Sequence, residues 1–153
     1  MKTTLTAFAL ATTLAQPASA TTFPSLTTIY VAPGVHDDGG AANTGTATVV
    51  SCSNVSGFGT PLRILVLNHA GAIEANFTFG NVPHGGSIRA VTHLTFLTGE
   101  DSLDTGLVDN GVINVESLQS GVFCTFTVVP AAGPATGFPL NAIRVNQHPG
   151  TVE

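Results

Sequence analysis

Eight stretches rich in Val, Ile, Thr and Phe recur along the chain, separated by short polar gaps. They are LTTIYVAP (26–33), GTATVVSCS (45–53), PLRILVLNH (61–69), AIEANFTF (72–79), SIRAVTHLTFLT (87–98), GVINVES (111–117), GVFCTFTVV (121–129) and PLNAIRVN (139–146). β-Branched and aromatic side chains suit a pleated, half-buried surface. The gaps, among them GGAANTG, NVSGFG, GNVPHGG and PAAGPATGF, are built from the residues that reverse a chain. After residue 20 no stretch holds apolar residues at a helical period over a helix's length, and EDSLDTGLV has room for one helical turn only. The expectation is an all-β fold, an antiparallel sandwich of about eight strands.

Alternation along two of these stretches assigns faces. Thr46, Thr48, Val50 and Cys52 share one side of the second stretch, and Val122, Cys124, Phe126 and Val128 share one side of the seventh. Each apolar set carries one of the chain's two cysteines. We expect a single Cys52–Cys124 disulfide that crosses the core between sheets. A two-thiolate metal site would need further ligands, and the sequence places none nearby. A late strand pinned to an early one resembles the immunoglobulin-type domains. The resemblance is to their architecture, since no tryptophan follows the first cysteine and position 122 is Val rather than Tyr.

The N-terminus reads as a processing segment. Lys2 gives a basic start, LTAFALATTLA is an apolar core too short to span a bilayer, and ASA (18–20) is the small-x-small pattern of a cleavage site. The expected organisation is a signal peptide over 1–20 and one sandwich domain over 21–153, exported to a periplasm or the exterior. Export suits the disulfide. Residues 21–153 contain no lysine and only three arginines, Arg63, Arg89 and Arg144, against nine carboxylates. Nucleic acid and anionic membrane surfaces need clustered positive charge, so neither is an expected partner. No segment beyond the leader is long enough for membrane insertion as a helix. The expected partner is an unidentified protein or envelope component.

TTIYVAPGVHDDGGAANTGTATVVSCSNVSG, then THLT, EDSLDTG, GVFCTF and IRVNQHPGTVE resemble a group of small exported bacterial proteins over nearly the whole of 21–153. That resemblance implies export and a single domain, and it carries no activity.

Short motifs add little chemistry. VPHGGS (82–87) is similar to the oxyanion loop of esterases, but the chain has no G-x-S-x-G nucleophile turn, so we read a strand-joining turn. GFGT (57–60) lacks the lysine and helix of a phosphate cradle. NVS (54–56) and NFT (76–78) match glycan acceptors, which matter only in a eukaryotic secretory pathway. The histidines His36, His69, His84, His93 and His148 show no metal-site pairing, and His93, inside a strand-like stretch, reads as a hydrogen-bonded structural residue. Met1 is the only methionine, which argues against a methionine-rich copper carrier.

HDDGG (36–40) is the one segment with chemical promise. In an antiparallel sandwich alternate connections lie at the same end. His36, Asp37, Asp38, His69, Glu100, Asp101, Asp104 and Asp109 therefore collect at one pole. Oxygen ligands from two loops suit Ca²⁺, and Asp37, Asp38, Glu100, Asp101 and Asp104 are the candidate ligands. The simpler reading is an exposed acidic turn in which Gly39 and Gly40 supply positive φ. An acid/base carboxylate pair of the glycosidase kind usually lines a cleft with aromatics, whereas Tyr30 is the only tyrosine and tryptophan is absent.

With no catalytic constellation and no required cofactor, the expected function is an exported, non-catalytic module with a structural, adhesive or envelope-interaction role. The rival expectation is a periplasmic or extracellular cation- or ligand-binding protein that uses the acidic pole. The leader yields a direct test: protein purified from its native host should have the intact mass of a chain beginning at Thr21. A mass that includes Met1 to Ala20 would identify an anchor instead.

Overall fold

The computed structural model describes residues 25–94, 99–133 and 137–145. The expected leader with its expected cleavage point at Thr21, His148 and the stretch 95–98 of the fifth expected strand lie outside the described residues. Ten strands appear: β1 (Thr27–Asp37), β2 (Thr46–Asn54), β3 (Thr60–Leu67), β4 (Ile73–Val82), β5 (Ser87–Val91), β6 (Asp101–Ser102), β7 (Val108–Ser117), β8 (Val122–Pro130), β9 (Phe138–Pro139) and β10 (Ile143–Arg144). They form two five-stranded sheets with orders β10-β1-β7-β3-β4 and β6-β5-β2-β8-β9, antiparallel apart from the β5–β6 pair. No helix occurs among the described residues.

Each of the eight expected stretches contains a strand, and two differ in extent. β5 stops at Val91 because the chain then bends and carries His93 inward. The last stretch is divided between the sheets. Pro139 cannot donate to a ladder, and the segment steps from β8 across to β1. Leu140 N–H donates to Phe126 O at 2.9 Å on one side, and Val145 N–H donates to Ile29 O at 2.9 Å on the other. β9 and β10 are thus outermost strands of their sheets. β1 lies one strand in, with Tyr30 and Val31 opposite β10. Further along β1 the Thr48 side chain acts as a partner: its hydroxyl accepts from His36 N–H and donates to His36 O, both at 2.9 Å.

Alternation fills the space between the sheets. Leu62, Ile64 and Val66 of β3, Ile113 and Val115 of β7, Val50 of β2 and Val122 and Phe126 of β8 are all buried. The Tyr30 and Phe126 rings meet across the sheets at 6.1 Å between centroids. The outward faces differ in chemistry. Val31, Leu65, Leu67 and Val112 half-cover the outside of the first sheet, where Arg63 Nε donates to Glu116 Oε2 at 2.6 Å from directly across the ladder. The second sheet turns out Ser51, Ser53, Ser87, Thr125 and Thr127.

Cys52 and Cys124 are joined, but the bridge does not cross the core as expected. The two residues sit directly opposite each other in the β2–β8 ladder, with Cα atoms 4.1 Å apart. Alternation put both on the core side, and adjacency of the strands did the rest, because opposite residues on one face hold their Cβ atoms within disulfide reach. The bridge staples two neighbouring strands that are 72 residues apart in sequence. Denatured, unreduced protein should show no free thiol. In the chain-entropy view Cys124→Ala should cost about 4 kcal/mol, a fall in Tm of roughly 10–20 °C, read by thermal melts of oxidised wild type and variant.

Candidate functional site

Asp37 ends β1 and is fully buried, and His93, just past β5 in the other sheet, is 3% exposed. His93 Nδ1 lies 2.8 Å from Asp37 Oδ1, and Nε2 lies 3.0 Å from the Ala41 carbonyl. Both partners are acceptors. Asp37 Oδ1 also receives the Gly39 N–H at 2.7 Å, as a carboxylate would. A neutral imidazole has one N–H to give, so the arrangement calls for an imidazolium. Desolvation pushes the His93 pKa down. The hydrogen bonds to Ala41 and Asp37, and the negative charges of Asp37 and Asp104, outweigh it and leave the pKa above the ordinary histidine value.

The connection from β1 to β2 is folded around this pair. Asp38 points the other way from Asp37. Its Oδ2 accepts from Thr46 N–H and the Thr46 hydroxyl, each at 2.7 Å, and its Oδ1 lies 3.0 Å from His36 Nε2. The Thr46 hydroxyl, then the contact with His36, then the Thr46 backbone hold the Asp38 carboxyl below its usual range. Two glycines make the path possible. Gly39 has φ +62° and a Cβ there would come within 3.0 Å of Leu107 N; Gly45 has φ +72° and a Cβ would meet Asp38 Cβ at 2.7 Å. Asn43 N–H donates to Leu94 O at 3.1 Å, and Thr105 N–H to Thr92 O at 2.8 Å. The connections after β1 and β5 therefore lock together.

Strand parity placed His36, Asp37, Asp38, His69, Glu100, Asp101, Asp104 and Asp109 at one end; of these, His36 Nε2 lies 3.0 Å from Asp38 Oδ1 and His36 Nδ1 3.5 Å from Asp109 Oδ1, and the charge of Asp104 raises the pKa of His93, the partner of Asp37. The expectation that HDDGG is wholly exposed needs correction. Asp38 and Gly40 are exposed, while Asp37 and Gly39 are buried, because the Asp37 carboxylate serves His93 inside the fold. The five candidate Ca²⁺ ligands do not form one cluster. Asp37 and Asp38 diverge to separate partners, Glu100 is half-buried just before β6, and Asp101 and Asp104 are exposed. No group of three or more His, Cys, Asp or Glu among the described residues is placed to hold a metal ion.

His93 is hydrogen-bonded as expected, but it is buried just past β5 rather than inside a strand. Its bond to Asp37 has two thirds of the form of a Ser-His-Asp triad. The third position, at Nε2, is taken by a backbone carbonyl, which has no proton to give up and no nucleophilic oxygen to activate. Sequence reasoning missed Thr46, Thr48, Thr92 and Thr105 as polar partners at this pole. Their only sequence signal was threonine at inward-facing positions such as Thr48. VPHGGS is a turn, with Gly85 N–H donating to Asn54 O at 2.7 Å and Gly86 N–H to Pro83 O at 2.9 Å. The NVS asparagine, Asn54, is fully buried and its amide donates to Phe58 O at 2.7 Å and Val82 O at 2.8 Å, so it cannot carry a glycan in this fold.

Because the folded pKa of His93 lies above the unfolded one, its stabilisation is complete below about pH 6.5. It is lost as pH rises through the folded pKa. Urea midpoints of the wild type should fall as pH is raised from near 6 into the alkaline range. His93→Gln should lack that slope and should cost on the order of 3 kcal/mol at acid pH, because Asp37 is left buried without its cation. A wild-type profile flat through this range would contradict the imidazolium assignment.

Comparison of the chain with protein families, curated proteins and solved structures finds no match.

Proposed function

We propose that the protein is an exported, non-catalytic interaction module with a structural or adhesive role in the cell envelope. The observation that carries this reading is how the acidic pole uses its charges. The one buried histidine–carboxylate pair among the described residues ends on the Ala41 carbonyl at 3.0 Å rather than on a hydroxyl or an open cleft. Chemistry that would ordinarily be offered to a substrate is consumed in holding two connections together. The surface is compatible with the same reading: the outer face of the first sheet mixes half-buried Val31, Leu65, Leu67 and Val112 with Asn114 and the Arg63–Glu116 pair, the second sheet has a hydroxyl-rich face, and Phe58 and Phe138 are exposed.

Export rests on the leader pattern at 1–20 together with the Cys52–Cys124 bridge, which persists in oxidising compartments. The likeness to small exported bacterial proteins belongs to the same proposal. So does the immunoglobulin-like description: two antiparallel sheets around one core favour it, and a disulfide within one sheet does not.

Two measurements test the proposal. A panel of ester, glycoside and peptide substrates should show no turnover; turnover abolished by His93→Gln or Asp37→Asn, in variants that remain folded, would make the pole an active site and end the non-catalytic reading. Millimolar Ca²⁺ should shift the Tm no more than Mg²⁺ or ionic-strength controls do. Saturation of a real site at a hundred times its dissociation constant would add about 2.7 kcal/mol, and a shift of that size would favour the cation-binding rival.

A further inference from the structure

Most outer edges of the two sheets are short. β6, β9 and β10 contribute two residues each. β4 is different: it has ten residues, and among the described residues β3 is its only sheet neighbour and no strand pairs with its other edge. Natural proteins blunt such edges with lysine, proline, bulges or very short strands. β4, IEANFTFGNV, contains no lysine or proline, and its single charge, Glu74, lies near its start.

Bulges do limit it. Register shifts break the β3–β4 ladder between Val66 and Leu67 and between Thr60 and Leu62. Between them the pairs Val66–Ala75, Leu65–Asn76, Ile64–Phe77, Arg63–Thr78 and Leu62–Phe79 are regular. The straight part of the edge is therefore Ala75–Phe79, ANFTF, with no charge at all. Its core-side residues are Ala75, Phe77 and Phe79, since their partners Val66, Ile64 and Leu62 are buried. Yet Phe77 is 39% exposed and stacks edge-on against Phe79 at 4.9 Å between centroids. At this margin the core is unfinished on the side away from β3.

We propose that β4 is a self-association edge: two copies pair antiparallel through Ala75–Phe79 about a two-fold axis at Phe77, giving one continuous ten-stranded sheet. The geometry selects the occupant and the register. A two-fold axis normal to the sheet pairs residues whose numbers have a constant sum. That sum must be even, or core-side residues would face outward-facing ones. Only an axis through Phe77 uses the whole straight segment. Phe77 then meets its own mate, small Ala75 lies opposite large Phe79 twice, and the Asn76 and Thr78 side chains pair on the outer face. Glu74 falls outside the paired segment, so no like charges oppose each other. The interface is isologous and closes as a dimer. Five residues per strand is a small contact, so the dimer is weak and concentration-dependent. This inference rests on the reading of the chain as an interaction module and names the second copy as one partner.

Sedimentation velocity of the full chain over a wide concentration range tests it. Wild type should pass reversibly from monomer to dimer. Phe77→Lys and Phe77→Glu, which set like charges on the axis, should each weaken the dimer at least tenfold, and an equimolar mixture of the two should restore it. Urea midpoints report whether each variant is folded. If either fails to fold, Phe77→Cys decides, since it should form an intermolecular disulfide on mild oxidation with the internal bridge intact. A wild type monomeric at every concentration, a Phe77→Lys variant that dimerises like wild type, or open-ended polymers would overturn the proposal. None of these outcomes bears on the substrate panel, so self-pairing can fail while the non-catalytic module stands.

Discussion

The buried contact between Asp37 and His93 joins the two sheets at one end, and the connections there are arranged to make it affordable. Asp37 belongs to β1 and His93 follows β5, in opposite sheets. A carboxylate and an imidazolium removed from water repay their desolvation only if the remaining polar valences are met. Here Gly39 N–H and the Thr105 hydroxyl serve the carboxylate and Ala41 O serves the second ring nitrogen. No buried side-chain nitrogen or oxygen is left without a partner among the described residues. Such a pair adds little net stability over a well-packed apolar contact. The larger effect is the cost of removing one partner, which leaves the other buried without its counter-charge.

Other features follow from the same constraint. The chain must leave β1 at Asp37, pass Ala41 close enough to offer its carbonyl, and return to begin β2 at Thr46. Positive φ at Gly39 and Gly45 makes that path, and Asp38 closes it by capping the start of β2 through Thr46. β5 ends early because His93 must turn inward. Thr48 and Thr92 are buried polar residues for a related reason. Thr48 Oγ1 serves the backbone of His36, and Thr92 Oγ1 accepts Thr48 N–H at 3.0 Å, where no strand is available to do so.

The β4 edge of the first sheet shows the opposite economy. At the β4 margin the core runs out before the sheet does, and Phe77 remains partly in water. The pole and this edge thus differ: at the pole polar groups are satisfied internally, and at the edge an apolar ring stays partly exposed.

The sequence alone determined the all-β class, the approximate place of every strand but the two-residue β6, the core-facing side of β2 and β8, the pairing of the two cysteines, and the nearness of His36, Asp38 and Asp109. These rest on local chemistry, on side-chain alternation with a period of two and on turn-forming residues, which are legible without knowing any strand's neighbour. Tertiary structure decided which strands are adjacent, so a bridge expected to cross the core lies within one sheet. It also decided that Asp37 and Asp38, neighbours in sequence, point to different partners, one buried and one exposed. Adjacency and orientation of this kind depend on contacts between residues such as Asp37 and His93, 56 positions apart, and such a contact leaves no periodic trace in either stretch of chain.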